Sequence, residues 1–184
     1  MPPPSRLPKI DPATLSAEQR RIYDAIAAAH GGEVRGPWAI ELRVPEVAEH
    51  MHALYDRLCV RPAIGKRLFE LMVITVARHW TSQFEWFAHE RQARAAGISD
   101  AVIDAIRERR TPAFERDDEQ LVYDVVSELN RTQVLSDATY ARARETLGEA
   151  HLVELIAGMG TYTSIAIQLN AFAVEPPPDA RRLV

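Results

Sequence analysis

The chain has one cysteine, Cys59, among its 184 residues, so no intramolecular disulfide, Cys-x-x-Cys redox pair or cysteine-based zinc cluster can form. The opening MPPPSRLPKIDP has no basic segment followed by an apolar run, which argues against a secretory signal and leaves a cytoplasmic location as the expectation. Its prolines suit an extended arm over residues 1–15, able in an oligomer to lie over a neighbour. A net charge of −4 lacks the basic excess that nucleic acid or an anionic membrane would select, so neither is an expected partner. No His-Glu-x-x-His is present, and Glu85-x-x-x-His89 offers only two ligands at helical spacing. Even with Glu70 added, no second such motif completes a site, and no metal is expected. Ser82 lacks the Gly-x-Ser-x-Gly turn of a hydrolase nucleophile and reads as a helix N-cap.

What the chain does have is a hydrophobic content of 47%, enough for one packed core. It reads helix after helix, predicting an all-α single domain over 16–174 followed by a tail over 175–184. Ser16 caps a helix from about Ala17 to His30, stopped by Gly31-Gly32. The apolar turn Gly36–Ile40 must pack on something, either core or the mouth of a pocket, and Trp38 is its largest side chain. Pro45 starts a helix to about Cys59, Ser99 caps one from Asp100 to Glu108, and Asp117 or Asp118 starts another to about Asn130. Ser136 caps a helix that Gly148 ends, and a last long helix runs from Glu149 to about Ala173. Leu155 to Val174 carries no charge, which raises a transmembrane reading. Thr161, Tyr162, Thr163, Ser164, Gln168 and Asn170 within it favour burial between helices or subunits instead, with Gly158 and Gly160 allowing close approach.

The most informative stretch runs from Glu70 to Gly97. From about Lys66 to Arg78 it is apolar nearly all round, predicting a buried helix that carries Glu70 inside. From about Ser82 to Ala96, Ser82, Glu85 and His89 fall on one helical face, expected inward, while Glu90, Arg91 and Arg94 share the opposite face, expected in solvent. An inward Glu85 and His89 must satisfy each other, a ligand or a water. Lys66, one turn before Glu70, supplies a plain ion-pair partner. His79 faces the same cavity or acts as a charge at the C-terminal end of the first helix. Trp80, Trp86 and Tyr162 read as core or pocket wall.

Glu70, Glu85 and His89, followed by a small-residue helix and Gly97-Ile98-Ser99, resemble the carboxymuconolactone decarboxylase family within the alkyl hydroperoxidase D-like superfamily. The likeness covers roughly residues 60 to 110. In the peroxidase branch the order is a Glu, a Cys-x-x-Cys and a following His; here Ser82 and Glu85 stand where the two thiols would be. The resemblance implies an all-α alkyl hydroperoxidase D-like helical bundle assembled as a trimer or hexamer. It also implies a lyase that needs no cofactor and acts on a small lactone or carbonyl acid. On that footing His89 is the general acid and base, Glu85 orients it, and Glu70 is a second proton relay or destabilises the substrate carboxylate. Ser82, His79, Trp86 and Trp38 are the substrate-binding candidates, with Arg43 or Arg78 for a carboxylate. The alternatives are a peroxidase-like protein without its redox cysteines, and a non-catalytic oligomer that binds a small ligand.

Overall fold

A computed structural model describes residues 5–184. Eight helices follow one another: α1 (Ala17–Ala29), α2 (Pro37–Glu41), α3 (Pro45–Tyr55), α4 (Lys66–His79), α5 (Gln83–Ala95), α6 (Asp100–Arg107), α7 (Asp117–Thr132) and α8 (Asp137–Ala171). No strand occurs among the described residues. The fold is all-α.

Helix α4 is the centre because its sequence leaves no polar face to give to water. Every residue from Leu68 to Arg78 is buried, and each large apolar side chain taken out of water contributes about 1.5–3 kcal/mol. The stripe Leu121, Val122, Val125 and Val126 of α7 packs on one side of it, and α5 and α8 cover others. Glu154 of α8 ties the turn before α4 into the core by accepting the N–H groups of Ala63 and Ile64 at 3.0 and 2.9 Å, with Arg57 at 2.8 Å. Arg67 of α4 links to Asp118 and Glu119 at the start of α7. A smaller cluster of Ile22, Ile26, Trp38, Leu42 and Ala48 joins α1, α2 and α3.

Ser16, Ser99 and Ser136 each accept a backbone N–H at a helix start, and Ser16 completes a capping box with Gln19. Gly148 breaks α8 with φ 76° and ψ 161°, so two helical segments meet there end to end. Helix α8 holds an 18-residue window apolar enough to cross a membrane by length and composition, but 56% of that window is buried against the other helices, as in a core helix. Of the two glycines beyond Gly148, only Gly158 faces a neighbour, Phe69 and Met72 of α4; Gly160 meets nothing within 4 Å.

Three local expectations are corrected. Residues 37–41 form a short helix rather than a turn, because Gly36 at φ 61° turns the chain and Pro37 is preset for a first helical position. Helix α3 stops at Tyr55 and continues as one π turn, Asp56–Val60, which carries Leu58 and Cys59 into the core. The ends of the chain also pack on their own helices. Arg6 bonds the carbonyls of Phe172 and Ala171, Leu183 is buried, and its backbone pairs with Gln83. Residues 1–4 of the arm lie outside the described residues.

Candidate functional site

Helix α4 ends at His79, the chain turns through Thr81 at φ 50°, and α5 begins after Ser82 and packs back on α4. This reversal brings His89 of α5 over Glu70 of α4. His89 Nδ1 lies 2.8 Å from Glu70 Oε2, and Lys66 Nζ lies 2.9 Å from the other oxygen. Burial pulls the Glu70 carboxyl upward, but the charge and hydrogen bond of His89, then those of Lys66, outweigh it and hold the group below its ordinary value. Glu70 is therefore a carboxylate and can only accept. The hydrogen between them sits on Nδ1, which leaves Nε2 as the ring nitrogen that can take up or give a proton.

His89 opens onto a cavity of about 770 Å³, within the range of small-molecule sites. Glu85, one turn earlier on α5, lines the same wall. It is 2% exposed, neither oxygen has a hydrogen-bond partner among the described residues, and burial alone pushes its pKa well above that of an ordinary glutamate. Burial thus favours the protonated form, whose O–H can donate. Trp38, Tyr55, Phe84 and Tyr162 supply apolar wall, and the ring of Tyr162 stands perpendicular to that of His89 at 5.0 Å.

Behind this pair lies a polar chain that sequence reading missed. Tyr162 donates to Cys59 Sγ at 3.2 Å, and Lys66 Nζ bonds the Cys59 carbonyl at 3.1 Å with Sγ at 3.8 Å. The lone cysteine thus adjoins the site although it is far from the motif in sequence. His30, at the end of α1, is a further missed wall residue. Its ring packs against Trp38, His52 and Tyr55, and burial, then His52, lowers its pKa. Neither Cys59 nor His30 carries a sequence signal, since both reach the site through packing of segments distant in the chain.

Of the seven residues expected at the site, the structure gathers Glu70, Glu85, His89 and Trp38. The pairing differs from expectation, since His89 bonds Glu70 and not Glu85. The helix-to-helix reach across α4 and α5 is shorter than the one along α5. Ser82 occupies the N-cap position but caps nothing, and its buried hydroxyl has no partner and does not line the cavity. Trp86 is wholly buried behind the wall and donates to Glu90 at 3.2 Å. Glu90, expected in solvent, is buried because Arg181 of the C-terminal tail folds over it at 2.9 Å. His79 lies in the last turn of α4 and lines a different cavity, its pKa lowered by burial and then by Arg109. Arg43 bonds the carbonyls of Ala39 and Pro8, and Arg78 shares the cavity of His79, so neither reaches His89. Arg91 lines the rim instead, with no ion-pair partner among the described residues.

No protein-family model and no curated protein matches the sequence. The fold is nevertheless that of the alkylhydroperoxidase D-like helical class. A similar solved structure is the alkylhydroperoxidase AhpD core of an uncharacterized peroxidase-related protein from Ralstonia eutropha JMP134. It is 15% identical, with a TM-score of 0.78 over 96% of this chain and 94% of that one. At that identity the likeness establishes the fold.

Proposed function

We propose that this protein is a cofactor-independent lyase or isomerase acting on a small lactone or carbonyl acid by proton transfer. His89 moves the proton, Glu70 orients the ring, and neutral Glu85 donates to the oxygen that gains charge. Glu85 carries the reading. A carboxyl buried beside a histidine in one cavity wall, unpartnered among the described residues and biased by burial toward its protonated form, is placed to donate to a developing oxyanion.

In loss of carbon dioxide from a butenolide acid, the bond to the carboxylate breaks and its electron pair passes into the lactone carbonyl as a dienolate. The O–H of Glu85 would meet that oxygen. Protonated His89 would return a proton to carbon from Nε2, its charge balanced by Glu70 across Nδ1, and recover one from solvent. The electron sink is the substrate's own carbonyl. Arg91 at the rim suits the carboxylate end of such a substrate.

A peroxidase-like reading has one observation in its favour, the position of Cys59 beside Lys66 and Tyr162. It ranks second because Cys59 is 1% exposed and does not line the cavity, so a hydroperoxide has no route to the thiol. A non-catalytic ligand-binding role would use the same Glu85 O–H to hold a ligand, with no turnover for His89→Ala to remove. The same reading takes the protein as a homotrimer or homohexamer.

The test is turnover of 4-carboxymuconolactone, followed by loss of the lactone chromophore, together with solvent deuterium exchange into small carbonyl acids. His89→Ala is expected to lower kcat/KM by about 10²–10⁴-fold. Glu85→Gln, which still donates, should retain more activity than Glu85→Leu. A folded wild type that neither turns over the lactone nor exchanges deuterium into any carbonyl acid refutes the reading.

A further inference from the structure

A second cavity, of about 200 Å³, shares no lining residue with the first. It lies between the end of α4, the connection from α6 to α7, and α7 itself. Its side-chain charge is one-sided: Arg78, Arg109 and Arg110 line it, and no acidic side chain among the described residues does. Arg78 is the key group. It is 6% exposed, its Nη2 donates to a main-chain oxygen of Val184, the last residue of the sequence, and its Nε and Nη1 have no acceptor among the described residues. The buried amide nitrogen of Asn130, another lining residue, is likewise without an acceptor.

A guanidinium taken out of water with two of its nitrogens unmet is destabilising, and neighbouring cations add to that. Burial, then Arg109 and Arg107, pull the Arg78 pKa below its ordinary value. Glu108 is the nearby acid, and it is already engaged by Arg107 and Arg110 outside the cavity. The unmet groups are all donors, so what they need is an acceptor with several oxygens and negative charge. The volume is below the roughly 300–1,000 Å³ usual for an organic ligand.

We propose that this cavity binds a small tetrahedral oxyanion of the phosphate or sulfate class. Arg78 forms its floor, with Asn130 and Arg109 completing the donors. The site is independent of the His89 cavity and of the reaction assigned there. Free oxyanion, rather than a nucleotide, fits the space.

Isothermal titration of the full chain with inorganic phosphate, and separately with sulfate, at ionic strength held constant with chloride, tests this directly. Saturable binding of both anions near one per chain is expected. Arg78→Met should abolish it. Arg109→Gln, at an exposed position that tolerates change, should weaken it at least about tenfold, the loss of one charge-assisted hydrogen bond. Should Arg78→Met fail to fold, Arg109→Gln decides. No heat beyond the chloride control in the wild type overturns the proposal. So does binding that Arg109→Gln leaves as tight as before, since the anion would then lie elsewhere.

Discussion

Glu85 works against the stability of its own fold. Its folded-state pKa lies well above the ordinary value near 4.5 because burial disfavours the charged form. The folded state therefore holds a proton that the unfolded chain releases as pH rises. Below the ordinary value both states are protonated and nothing is lost; above it, stability falls by about 1.4 kcal/mol per pH unit until the folded value is reached. Glu85→Gln removes this dependence. Denaturant unfolding should find it equal to the wild type near pH 4 and more stable at pH 8, and no gain at pH 8 would mean that Glu85 is not held neutral. The sequence places Glu70, Glu85 and His89 inside but leaves their partnership open, because spacing along α5 favours Glu85 while only the packing of α5 on α4 brings Glu70 to Nδ1. Glu90 is misread for a related reason: the residue that covers it, Arg181, lies 91 positions away.

At the level of elements, two glycines of α8 are required for different physical reasons. A Cβ at Gly158 would stand 2.9 Å from Met72 Cε and 3.2 Å from Phe69 Cε2, where α8 packs on α4. The methionine end can give way, but the wholly buried Phe69 ring has nowhere to go, so overpacking of about 1–3 kcal/mol outweighs the roughly 1 kcal/mol that alanine gains in a helix. Gly148 meets nothing within 4 Å, and alanine there would instead be strained by about 1–3 kcal/mol through its backbone angles. Both Gly158→Ala and Gly148→Ala should lower the urea midpoint. Only the first should couple with Phe69→Leu in a double-mutant cycle, and additivity at Gly158 would refute the packing account. Helix starts are legible here because Ser16, Ser99 and Ser136 act locally. The π turn at Asp56–Val60 is not, since it depends on where Cys59 and Leu58 find space in a core assembled from distant segments.

Over the whole molecule, α8 has two faces with different tasks. Tyr162, Ile165 and Leu169 form part of the wall of the His89 cavity. On the other side Val153, Ile156 and Ile167 are 67%, 40% and 45% exposed, with Ala157, Gly160 and Ser164 between them and no charge from Leu155 onward. A continuous uncharged stripe on one helix is the kind of surface that a second helix covers. On the oligomeric reading, copies of this chain meet along it, and light scattering should find the mass of a trimer or hexamer at micromolar concentration. Ile156→Asp puts a charge into that seam and should lower the mass while leaving helicity intact. Because the stripe backs onto the cavity wall, the same variant should also lose turnover without touching His89, Glu85 or Glu70. A wild type that is monomeric, or an Ile156→Asp protein of unchanged mass, would show that the outer face of α8 is not where the copies meet.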